Sequence, residues 1–158
     1  MLAMVHNTSV ASLVVTLALA VAGSYPPAKQ DSQGYKSMGQ QITIRIGDKA
    51  FAATLSDSAT AAAFAKLLPL SITMTELNGN EKFARLSTNV PVQASTPASI
   101  RTGDLMLYGS KTLVLFYKSF QTTYSYTVIG RIDDPAGLEV ALGVGDIAVV
   151  FARYKEGN

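Results

Sequence analysis

The sequence predicts a mainly β domain, a sandwich or barrel of short strands, over residues 41–153. Apolar and polar residues alternate in brief runs, the period-two signature of half-buried strands. Turn-forming pairs such as Gly47-Asp48, Asn78-Gly79 and Gly109-Ser110 recur between those runs. Apolar residues make up 48% of the 158-residue chain and charged residues 15%, enough for one domain with a real core.

Ile42, Ile44 and Ile46 alternate with Thr43 and Arg45 in a first strand. After Gly47-Asp48 the pattern resumes through Phe51, Ala53 and Leu55. Ser56-Asp57-Ser58 offers capping oxygens to the alanine-rich ATAAAFAKLL, a helix with Phe64, Leu67 and Leu68 on one side and Pro69 as its stop. Leu70, Ile72 and Met74 form a third strand that leads to Asn78-Gly79, a strong hairpin signal, with Glu81 to Leu86 as the partner strand. Residues 87–99, rich in Pro, Ser and Thr, predict a surface loop with no structure of its own. Strands over 105–108, 112–117 and 124–132 follow. Pro135 opens a short helix around Leu138 to Leu142, Gly143 and Gly145 close it, and 147–151 is the last strand. The total is eight short strands and two helices, with no internal repeat.

Ahead of the domain, Ser9 to Ala22 is an uncharged run of 14 residues. A spanning helix needs about 20 apolar residues, so the run suits the core of an export signal cut after Ala20-Val21-Ala22, before Gly23. Residues 24–40 read as a flexible linker and 154–158 as a tail. The expected protein is periplasmic or extracellular with no stable membrane span; because MLAMVHNTS lacks Lys and Arg, an uncleaved anchor is the alternative.

Composition removes several chemistries. Without cysteine there are no disulfides, thiolate metal sites or thiol nucleophiles. The single histidine, His6, precedes the export run, so the exported protein has no His-based triad, zinc site or proton relay. The 13 Lys and Arg are scattered and the net charge is +2, so the basic footprint of a nucleic-acid binder is missing. Nothing in the sequence calls for a metal or another cofactor, and nothing in it fixes the oligomeric state.

The stretches ITIRIGDKAFAATLSDSATAAAFAKLLPLSITM, NGNEKF (78–83), GDLMLYGSKTLVLFYKSF (103–120) and YSYTVIGRIDDPAGLEVAL (124–142), in this order, resemble the small bacterial cyclophilin-like family. That resemblance implies a closed eight-stranded β-barrel with two short capping helices. True cyclophilin isomerases set an arginine in a groove beside a Phe-Met-x-Gln segment and a second phenylalanine. The guanidinium bonds near the prolyl nitrogen and weakens the amide resonance behind a barrier of about 18–20 kcal/mol. Met74-x-Glu76 echoes Met-x-Gln, Phe116 falls at the pocket phenylalanine, and Tyr126 falls near a common histidine position. Leu68 stands where the arginine would be, and the nearest arginine, Arg85, follows the hairpin.

The candidate ligand groove therefore comprises Met74, Glu76, Phe116, Phe120, Tyr124 and Tyr126, and no catalytic residue is assigned. Alternation turns Phe116 away from Tyr117 and puts Tyr124 and Tyr126 on one face. These aromatics suit either a groove for a peptide or flat organic ligand, or plain core packing with cross-strand pairs. Asp133-Asp134 before Pro135 reads as a metal or acid pair, or as a helix cap. Glu76 and Glu81 flank the Asn-Gly turn as an acid/base pair or as solvated charges. Gly109-Ser110-Lys111-Thr112 lacks the spacing and the following helix of a phosphate loop, and Arg131 reads as a surface residue. Three functions follow: a ligand-binding module, a weak peptidyl-prolyl isomerase, or a partner-docking domain whose aromatics are all buried.

Overall fold

The computed structural model describes residues 39–155. The expected export segment, the linker up to residue 38 and residues 156–158 of the tail lie outside the described residues. The elements run β1 (Gln41–Ile46), β2 (Lys49–Leu55), α1 (Ala59–Lys66), β3 (Leu70–Leu77) and β4 (Glu81–Arg85). Then come β5 (Asp104–Tyr108), β6 (Thr112–Phe116), β7 (Thr127–Ile132), α2 (Leu138–Leu142) and β8 (Ile147–Arg153). The strands close into a barrel in the order β1-β2-β7-β5-β6-β4-β3-β8, with every pairing antiparallel.

The alternation in the sequence is the inside–outside pattern of this barrel. Ile42, Ile44 and Ile46 are buried in the interior while Gln41 and Arg45 face solvent. Phe51, Ala53 and Leu55 from β2, Leu105 and Leu107 from β5, and Leu113 and Leu115 from β6 fill the same core. Burial of such side chains contributes roughly 1.5–3 kcal/mol each. Helix α1 starts where Ser58 accepts a hydrogen bond from the Ala61 amide at 3.1 Å. It inserts Phe64, which meets Phe151 of β8 edge to face at 5.6 Å. Leu138 and Leu142 of α2 join the same core.

Gly130 marks a tight crossing of β2 and β7. A Cβ there would lie 2.5 Å from the Thr54 carbonyl oxygen and 2.9 Å from Leu55 Cα, both backbone atoms. Gly130→Ala is expected to destabilise the barrel by about 1–3 kcal/mol through this overpacking, measured as a shift of the urea midpoint.

Two expectations change. The strand expected from Tyr124 begins at Thr127, where β5 and β2 take its edges. Just before it, Tyr126 bonds instead to Ser95, each amide reaching the other's carbonyl at 2.9 Å. The loop expected to be unstructured is accordingly tied down. Thr60 Oγ1 donates to the Pro91 carbonyl at 2.7 Å, and Ile100 and Phe120 exchange backbone bonds of 2.8 and 3.2 Å just beyond it.

These ties lay two chain segments over the outer wall of β4, β5 and β6. A second apolar cluster results, outside the barrel, built from Ile100, Met106, Val114, Phe116 and Tyr126 with Phe83 and Phe120 against it. With both faces covered, Leu105, Met106 and Leu107 of β5 are buried in succession, as are Leu113 to Phe116 of β6.

Candidate functional site

The outer cluster leaves a groove of about 380 Å³ on the barrel wall. Alternation along three strands supplies part of it: Glu81 and Phe83 from β4, Thr112 and Val114 from β6, and Tyr108 from β5. The β3–β4 turn adds Leu77, Asn78 and Asn80. Asn78 and Gly79 both have positive φ, 57° and 68°, as a type I′ turn demands, and Asn80 is one residue more before Glu81 pairs with Leu77. The segment between β6 and β7 adds Phe120, Tyr124 and Tyr126.

The aromatic rings form a continuous row. Tyr124 meets Tyr108 at 6.3 Å and Tyr108 meets Tyr126 at 5.7 Å between centroids. Tyr126 then packs edge-on to Phe116 at 5.4 Å, and Phe116 touches Phe120 at 5.7 Å. Such pairs are worth about 0.5–1.5 kcal/mol beyond burial and hold the rings in fixed orientations. Tyr124 is 63% exposed, whereas Phe116 is fully buried beneath its neighbours.

The structure brings Phe120, Tyr124 and Tyr126 together along the groove, with Phe116 behind them. It does not bring Met74 or Glu76 there. Met74 is fully buried inside the barrel. Glu76 shares that inward register and meets Lys82 and Tyr117. Lys82 Nζ lies 2.6 Å from Glu76 Oε2 as an ion pair, and it donates to the carbonyls of Gly143 at 2.9 Å and Gly145 at 2.7 Å. Tyr117 donates its hydroxyl to Glu76 Oε1 at 2.7 Å, and the Gly79 amide donates to the same oxygen at 2.9 Å. Burial pushes the Glu76 carboxyl up, but the contacts with Lys82, Tyr117 and Gly79 outweigh it and hold the group below the usual carboxylate range. The Tyr117 phenol is pushed well up by burial and by that same carboxylate.

Most of the groove lining lies outside the candidate set, and two of these residues, Tyr108 and Glu81, bear on its chemistry. Tyr108 joins Tyr124 to Tyr126 in the aromatic row, and its place at the end of the wholly apolar LMLY run is the available signal. The sequence pairs Glu81 with Glu76 beside the turn, as an acid/base pair or as solvated charges; in the structure it is 7% exposed and opens on the groove opposite Phe116. Burial, and secondarily the charge of Glu76, pushes its carboxyl up. Burial and the charge of Glu81 do the same to the Tyr126 phenol.

The remaining polar candidates serve the scaffold. Asp133 Oδ1 accepts from Thr54 Oγ1 at 2.6 Å, and Asp134 Oδ1 accepts from the Ala136 amide at 3.0 Å in the turn before α2. Arg131 lies 3.7 Å from Asp104 and donates to the Thr102 carbonyl at 3.4 Å. Among the described residues no three His, Cys, Asp or Glu side chains gather as metal ligands, and no helix is long and apolar enough to cross a membrane.

A search of curated protein sequences gives no match. Among solved structures, the solution structure of a hypothetical protein from Archaeoglobus fulgidus superposes with a TM-score of 0.56 at 20% identity. The match covers 77% of this chain and 99% of the archaeal one, and it shows a shared fold. The sequence model of the Cyclophilin-like family matches residues 44–152, most of the barrel, and the chain belongs to that family.

Proposed function

We propose that this domain is an exported binding module that holds a peptide or small organic ligand in the aromatic groove and does not efficiently isomerise proline. The observation that carries this is the row of locked rings ending in the exposed Tyr124, beside a groove of about 380 Å³. Concave, mostly apolar sites with a few polar groups are the usual form of ligand pockets. Exposure of Tyr124 weighs against a domain whose aromatics serve packing alone. Export rests on the uncharged run from Ser9 to Ala22.

A prolyl isomerase of the cyclophilin kind needs a guanidinium over the bound amide. No arginine lines this groove; Arg85 shares the outward register of β4 opposite Thr112 but is exposed and outside the lining. The purified protein is expected not to accelerate cis–trans exchange of an Ala-Pro tetrapeptide measured by NMR. A panel of aromatic- and proline-bearing tripeptides is expected to shift the signals of Tyr108, Tyr124 and Tyr126. Tyr124→Ala should weaken the best of them about tenfold while leaving the unfolding midpoint in place. Acceleration of exchange would restore the isomerase reading.

A further inference from the structure

We propose that the groove selects an alkylammonium group, with Glu81 as its anionic partner and the rings of Tyr108, Phe120, Tyr124 and Tyr126 as its walls. The proposal rests on the binding reading above and names the chemistry of what is bound.

Glu81 is one of the few charged side chains buried in the domain, and among the described residues its carboxylate has no hydrogen bond and no ion pair. A largely buried carboxylate that has no protein partner and reaches solvent through a groove is the kind of group proteins keep chiefly where a ligand or a reaction needs it. No nearby cation of the domain serves it: Arg85 is exposed and outside the lining, and the two closest lysines are committed elsewhere. Lys82 points into the barrel toward Glu76 and the carbonyls of Gly143 and Gly145. Lys118 pairs with Glu139 at 3.2 Å. Both lysines also sit over the ring of Tyr117, 5.7 and 5.9 Å from its centroid, and Tyr117 is not part of the groove. Among the described residues, no cation lies over any groove ring.

A second acceptor points the same way. Asn80 Oδ1 is buried, lies among the groove residues and receives no hydrogen bond among the described residues. The site thus offers one anion and one neutral acceptor, and no charged donor lines it, within aromatic walls. An ammonium on an alkyl stem matches each part. Its N–H groups bond the carboxylate and the amide oxygen, its charge meets the negative faces of the rings, and its methylenes lie against Phe83 and Val114. An anionic ligand would meet Glu81 directly and be repelled.

The ammonium has two sources, a free amine or a lysine side chain in a peptide. The test uses butylammonium, the blocked peptide Ala-Lys-Ala and its neutral counterpart with norleucine in place of lysine. Each is titrated into the purified protein while the signals of the groove tyrosines are followed by NMR. The lysine peptide is expected to bind at least about tenfold more tightly than the norleucine peptide. Butylammonium as tight as the lysine peptide identifies a free amine as sufficient; tighter binding of the peptide identifies the side chain in its backbone context.

In Glu81→Gln the two peptides are expected to bind alike. The variant should melt no lower than the parent at pH 7, because it removes an unpaired buried charge at nearly constant shape. Equal binding of the two peptides to the unmodified protein would overturn the ammonium assignment while leaving a ligand groove in place. A charge preference that persists in Glu81→Gln would overturn the role of Glu81. No shift with any of the three probes at millimolar concentration would overturn this proposal, while the tripeptide panel decides separately whether the groove binds at all.

Discussion

Lys82→Ala is expected to lower the stability of the domain by about 3–5 kcal/mol, the usual cost of breaking a buried ion pair by removing one partner. Lys82 is fully buried, although lysine is among the residues that least tolerate burial. It is kept there because its charge is paired and its N–H groups have acceptors: Glu76 Oε2 lies 2.6 Å away as an ion pair, and the carbonyls of Gly143 and Gly145 accept at 2.9 and 2.7 Å. It thereby ties β3 and β4 to the turn after α2 and closes one end of the barrel. Alanine would leave Glu76 facing Tyr117 without a counter-charge, strand both carbonyls and open a cavity the length of a lysine stem. Urea unfolding followed by circular dichroism measures the loss. Lys82→Met, which keeps the stem, should cost less than alanine by the cavity contribution.

The same network fixes the sign of an acid dependence. The folded carboxyl of Glu76 lies below its ordinary value of 4.5. Its contribution to stability is therefore complete above that value and is lost as the pH falls through the lower, folded one. This acid-sensitive component should shrink in Lys82→Ala, because the main favourable contacts of Glu76 go with the lysine.

Phe116→Ala is expected to cost about 3–5 kcal/mol by the same unfolding measurement. The ring is fully buried on the outer wall of β6, in contact with Phe120 at 5.7 Å and Tyr126 at 5.4 Å. Removing it takes away the ring that joins Tyr126 to Phe120, so the near-ultraviolet dichroism of the tyrosines should fall along with the stability. The contrast with Tyr124→Ala separates the two roles: one ring supports the groove from behind, and the other is presented to solvent at its mouth.

Most of the fold was legible in local pattern. Ile42 to Ile46 alternates because one face meets a core and the other meets water, and Asn78-Gly79 turns because both residues must take positive φ. Closure into a barrel came from the order of segments and their family resemblance, since alternation alone does not distinguish a barrel from a sandwich. The site was less legible because it depends on cover from distant sequence. Glu81 sits next to a turn and reads as solvated, but the outer wall it occupies lies beneath segments that start fourteen and thirty-seven residues later, at Ser95 and Lys118. The available clue was the unbroken apolar content of LMLY and LVLFY, which a strand with one wet face does not need. Met74 and Glu76 continue the inward register of Leu70 and Ile72, so their direction followed from period two once the third strand was extended to Leu77.

Closure of the sheet also limits how any ligand can be held. Each of the eight strands has a hydrogen-bonded neighbour on both sides over at least part of its length, so the barrel presents no strand edge that is free from end to end. On the groove wall, where β5 and β6 are paired on both sides, a peptide therefore finds no edge to which it can add itself as a strand, the mode in which main-chain bonds provide affinity whatever the side chains are. Recognition on this wall falls to side chains alone, so chain direction should matter little and the chemistry of one or two inserted groups should dominate.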